Sequence, residues 1–147
     1  MFSHAFYTWL AASLLHPVFV FCVAAFVPGQ PHFFFDSDVI WVYVDILIRA
    51  LPYSLPCLVA GWLCLEVISR ASFSVQTRFG AWLVMEVILT AFGAALLLGF
   101  HQMAEPQKLL LVLPGAMAVA AAILLRYKQF KKLMQVFTGP AFKPGMI

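Results

Sequence analysis

Apolar residues fill this chain in four stretches, Ala5–Val27, Val39–Leu65, Gly80–Phe100 and Leu109–Leu125, parted by short polar segments. About 20 apolar residues cross a bilayer as α-helix, so three stretches predict full spans and the fourth, shorter but uncharged, a minimal one. The segments between them, 28–38, 66–79 and 101–108, are short enough to make successive helices antiparallel neighbours. The pattern predicts an all-α integral membrane protein of four antiparallel transmembrane helices. The first stretch reads as a retained helix: Met1–His4 lacks Lys and Arg, the apolar run outlasts a signal-peptide core, and no clean A-x-A site follows.

Helix-breaking and small residues add detail to this pattern. Pro52 and Pro56 lie inside the second span; each removes a backbone donor and crowds the preceding turn, which predicts a kink near Ala50–Pro56 facing other helices. On the third span Ala91, Ala95 and Gly99 form a small-residue stripe that admits close helix approach, opposite Glu86, Thr90 and Gly93. The fourth span carries Pro114–Gly115 and then Ala116/Ala120 and Ala118/Ala122 at the same spacing. Beyond it, residues 126–137 continue as a basic amphipathic helix. Phe130, Leu133, Met134 and Phe137 form its apolar face, Lys128, Lys131, Lys132 and Gln135 its polar one, and Thr138–Gly139–Pro140 ends it. Residues 138–147 read as a flexible tail. Such a helix lies on anionic headgroups or docks a cytosolic protein, and the pattern leaves both open.

Composition agrees: 64% hydrophobic and 10% charged residues exclude a soluble domain of this length. Charge placement sets the orientation. Arg70, Arg78, Arg126, Lys128, Lys131, Lys132 and Lys143 fall on one side of the predicted bilayer and Lys108 alone on the other, which puts both termini in the cytoplasm. Aromatic belts fit: Phe33, Phe34, Phe35, Trp41 and Tyr43 outside, Trp62, Phe73, Phe79 and Trp82 inside. A net charge of +3, gathered on the inner face, points to anionic lipid or an acidic protein surface and away from nucleic acid. The chain holds no Asn, which is compatible with a bacterial inner membrane. Cys22, Cys57 and Cys64 lie within spans at no zinc-binding spacing and read as packing residues, so no metal or cofactor is expected.

Four polar residues within the spans need partners: Asp45, Arg49, Glu86 and His16. Asp45 and Arg49 are one helical turn apart, on the face that also carries Pro52 and Pro56, and that face is expected to point into the bundle. Glu86 enters from the other side to a depth at which Arg49 could reach it; it either shares Arg49 and stays ionised or is buried and protonated. The group is either an interhelical ion pair or a proton or cation site. His16 reads as a neutral imidazole bonded to a neighbouring helix.

No pattern for metallopeptidase, serine hydrolase or phosphate binding occurs, and catalysis is not expected. The outline fits a small non-catalytic membrane subunit, such as a sensor, immunity or defence-type component. It would assemble with copies of itself or another membrane subunit and present a basic cytoplasmic face. The alternative is an oligomeric channel or transporter component using Asp45, Arg49 and Glu86. A reporter that works only in the cytoplasm, fused after Ile147, should be active; activity only of a periplasmic reporter there would invert the topology.

Overall fold

A computed structural model describes residues 1–26, 38–98 and 106–138, and these are almost wholly helical. The helices are α1 (Phe2–Ala25), α2 (Val39–Arg70), α3 (Val75–Leu98), α4 (Pro106–Leu125) and α5 (Tyr127–Thr138). Among the described residues α1, α2 and α3 are long and apolar enough to cross a membrane, and Val112–Leu125 of α4 forms a shorter apolar helix.

Two helix ends lie outside the apolar stretches because local polar contacts, not hydropathy, set them. At the end of α2, Arg70 pairs with Glu66 at 3.1 Å and the Ser69 hydroxyl donates to the Glu66 carbonyl. Ala71 then turns extended. Ser74 caps α3, which starts at Val75, five residues before Gly80; its Oγ accepts from the Thr77 amide at 3.2 Å. α2 itself stays helical through Pro52 and Pro56.

The first four helices form a ring. α1 packs on α2 and α4, α3 packs on the same two, and the diagonal pairs barely touch. Contacts along α1 and α2 run in opposite order (Phe2 with Trp62, Trp9 with Ser54, Leu14 with Tyr43), so these helices are antiparallel. We call the end where α1 begins and α4 stops the base.

Large side chains gather at the base. Leu65, Trp82, Ile123, Phe130 and Met134 are fully buried there. The Trp82 and Phe130 rings stack at 5.3 Å and 10°, and Phe79 meets Phe130 edge-on at 5.3 Å. α5 supplies Phe130 and Met134 by folding back. The helical bonding resets at Arg126, whose amide is shared between the Ala122 and Ile123 carbonyls and whose own carbonyl accepts from Gln129 and Phe130. The extension over 126–137 is therefore a separate helix, not a continuation of the fourth span. Phe130 and Met134 of its apolar face meet the bundle, while Lys128, Lys131 and Lys132 stay exposed.

Away from the base the outer surface is apolar, with Ile48, Val84, Ile88, Phe92 and Leu96 all exposed. In lipid that surface costs nothing to leave uncovered. Removing the ring of Trp82 should cost about 3–5 kcal/mol, whereas Ile88→Ala should cost under about 0.5 kcal/mol. Reversible unfolding of the two variants in detergent checks the difference, and equal losses would contradict this placement of the core.

Candidate functional site

The Trp9 indole N–H donates to Ser54 Oγ at 2.9 Å, and Ser54 in turn donates to the Leu51 carbonyl at 2.9 Å. This bond sets the α1–α2 register. Moving five residues toward the top along both antiparallel helices, about 7.5 Å at the helical rise, brings Leu14 level with Arg49. Leu14 is twelve residues after Phe2 and eleven before Ala25, so Arg49 lies level with the middle of α1. The Tyr43 hydroxyl, donating to the Leu14 carbonyl at 2.6 Å, ties the same stretch together.

Arg49 Nε donates to both oxygens of Asp45 at 2.9 Å. Their side chains are 75% and 59% exposed, on the outside of the ring. Helical angles explain this: at ~100° per residue Asp45 lies about 180° round α2 from Ser54, which faces α1. Pro52 and Pro56 are exposed on the same outer face. The sequence reading puts the four residues on one face, as the structure does, but expects that face to point inward; periodicity carries no sign for that direction.

Glu86 is elsewhere. It lines the ring axis and accepts a hydrogen bond on Oε1 from the Trp82 indole one turn earlier, at 3.1 Å. Gly61 of α2 makes room for its carboxyl: a Cβ there would overlap Oε1 and lie 2.7 Å from the carboxyl carbon. Among the described residues Arg49 bonds Asp45 alone, so the structure does not form the expected Arg49–Glu86 bridge.

Around Glu86 residues of all four helices line a half-open cavity of about 200 Å³. It exists because small residues face the axis: Ala5 and Ala12 from α1, Ala50 from α2, Gly93 and Ala94 from α3, Gly115 and Ala118 from α4. His16 lines it beside Ser13, Tyr53 and Thr90. None of these four side chains has a hydrogen-bond partner among the described residues, so His16 does not make the interhelical bond read from the sequence. Ser13 is only 5% exposed.

Of the packing residues, Ala95 is buried and Ala91 half-buried, while Gly99 lies outside the described residues. On α4 the buried pair is Ala118/Ala122, with Ala116 and Ala120 half-buried.

At the base, Arg126 is half-buried rather than presented to a partner. Its Nη2 is 3.4 Å from His4 Nδ1 and its guanidinium lies 5.5 Å from the Tyr7 ring centre. Arg78, read from sequence only as an orienting charge, is buried and donates to the Ala71 carbonyl. Both latch the base, leaving Lys128, Lys131 and Lys132 as the outward basic group.

No protein family, curated protein or solved structure matches this chain. Its chemistry therefore follows from its own side chains. Sequence reasoning missed Gly61 because its partner is on another helix, although a Gly inside an apolar helix is itself a cue to close approach. Gly61→Ala should drive the Glu86 carboxyl from its seat and lower stability. Gly80→Ala, where an added Cβ meets nothing, should raise it by up to about 1 kcal/mol. Adding Glu86→Ala to Gly61→Ala should recover much of the loss; strict additivity in unfolding measurements would show that the two do not touch.

Proposed function

We propose that the chain is a small non-catalytic membrane subunit that assembles with a second copy of itself through the outer face of α2. The observation behind this reading is the Asp45–Arg49 pair, outward-facing and level with the middle of α1. Each charge left facing hydrocarbon costs at least about 2.5–3.5 kcal/mol, and Arg49 keeps its terminal N–H groups unspent on Asp45. A partner removes that cost.

A second copy is the occupant best suited to the face. The pair is electroneutral and carries both signs one turn apart. A two-fold axis along the membrane normal keeps every residue at its own depth, and each Arg49 can then donate to the Asp45 of the other copy. The exposed prolines, where a bend in α2 is read, lie on the same face and would be covered too.

In the full reading α4 is a fourth span. Its residues Pro106–Leu125 measure about 30 Å at the helical rise, matching a ~30 Å hydrocarbon core. Both termini are cytoplasmic, in a bacterial inner membrane, and Lys128, Lys131 and Lys132 face anionic lipid or an acidic cytosolic protein. A channel or transporter component is the second reading. It draws on the axial cavity at Glu86, but Asp45 and Arg49 do not lie on that axis.

Native mass spectrometry of protein extracted from its own membranes should give a homodimer. Arg49→Asp should abolish it, and the reversal D45R/R49D should restore it, because both copies then carry the swapped pair. The neutral D45L/R49L chain, free of insertion cost, should be monomeric. A dimer surviving in D45L/R49L, or a hetero-complex that the reversal fails to rescue, would overturn self-assembly through this face.

A further inference from the structure

The axial cavity is independent of the outer face of α2 and asks for an occupant of its own. At about 200 Å³ it exceeds the ~150 Å³ that holds benzene in an apolar cavity, and it suits a compact ligand of about eight non-hydrogen atoms. Its wall is mostly apolar and is set with a few polar groups: the His16 ring and the hydroxyls of Ser13, Tyr53 and Thr90, which have no protein partner among the described residues.

The wall is charged in one sense only. Glu86 lines it, and no Lys or Arg does. The carboxyl receives one hydrogen bond, from Trp82 to Oε1, with none to Oε2 among the described residues. In its ionised form a carboxylate so placed needs a counter-charge, and none of the described side chains lining the cavity supplies one. Trp9 and Tyr53, the latter largely exposed, also line the cavity, and aromatic rings attract cations. Pro17 cannot donate to the carbonyl of Ser13, a residue of the cavity wall, and so leaves that carbonyl without its usual helical donor.

We propose that the axial cavity is a binding site for a small organic monocation, with the Glu86 carboxylate as its counter-charge and the Trp9 and Tyr53 rings as its aromatic wall. Gly61 keeps the carboxylate in place, and the alanines and glycines facing the axis set the size limit. The ligand class is a quaternary or alkylated ammonium of choline's size. A small inorganic cation would leave most of the space unfilled.

The test is thermal unfolding of the full chain in detergent with tetramethylammonium or choline chloride. The controls are equal sodium chloride and the neutral isostere 3,3-dimethylbutan-1-ol. The two organic cations should raise the midpoint saturably, and at a hundredfold excess over Kd the folded-to-unfolded ratio should rise about 100-fold. Glu86→Gln should weaken binding about 30-fold or more. Ala94→Leu, which fills the cavity and keeps the carboxyl, should abolish it. The isostere comparison needs no variant: an equal shift with the neutral alcohol, or no shift beyond that of sodium chloride, would overturn the proposal. So would full binding by either variant.

Discussion

Hydrocarbon offers no hydrogen bonds, so each polar group that a helix carries into it must be satisfied by protein, by enclosed water or by a partner. This constraint sorts the polar residues of α1, α2 and α3 into three sets. One set is paired within the bundle: Trp9 with Ser54, Tyr43 with the Leu14 carbonyl, Trp82 with Glu86, and Thr8 with the His4 carbonyl. These bonds fix helix register where apolar side chains against lipid supply little drive. A second set, Asp45 and Arg49, is paired only within itself and faces outward. The third, Ser13, His16, Tyr53 and Thr90, lines the cavity with no protein partner among the described residues. The latter two sets are where the fold is incomplete on its own, and both proposals rest on them.

Packing is divided in the same spirit. Large aromatic and aliphatic side chains close the base, where α5 folds under the ring and Arg126 and Arg78 are anchored. Toward the middle, small residues let the helices approach without filling the axis; Gly93 meets Cys57 Sγ at a would-be Cβ distance of 3.3 Å, and Gly115 meets Thr90 at 3.4 Å. Stability resides at the base and emptiness in the middle. A cavity is sustained at low cost when a separate region carries the packing.

The helices were legible because lipid demands long apolar runs, and such runs show in any hydropathy reading. Pairing at i and i+4 was also legible, since the Asp45–Arg49 geometry is local to one helix. Direction was not. Whether the face of Asp45, Arg49, Pro52 and Pro56 points in or out depends on where Trp9 finds Ser54, a contact 45 residues apart. The break at Arg126 was hidden for a related reason. Apolar periodicity runs smoothly from α4 into α5, and the turn shows in the backbone bonding at Arg126 and in the stacking of Phe130 on Trp82. The seat of Glu86 on Gly61 is likewise a contact between helices.

The prolines join these strands of argument. Pro17, Pro52, Pro56 and Pro114 interrupt α1, α2 and α4, while α3 has none. Each deprives the carbonyl four residues earlier of its donor, which in lipid is a penalty unless something polar lies nearby. Pro17 follows His16 and Pro114 precedes Gly115, both on the cavity wall, and Pro52 and Pro56 bracket Tyr53 and Ser54. Packing alone gives no reason for helix breakers in three of the four bundle helices, because an unbroken helix packs as well and keeps its bonds. For Pro17 a water-lined or cation-holding axis gives a reason, since it frees the carbonyl of Ser13, a residue of the cavity wall, whereas Pro52 and Pro56 lie on the outer face. The same residues make α2 the helix whose outer face most needs covering. Occupancy of the cavity and assembly on α2 would thus act on one helix from its two sides, and a ligand that orders Tyr53 and Ser54 would do so one turn from Arg49.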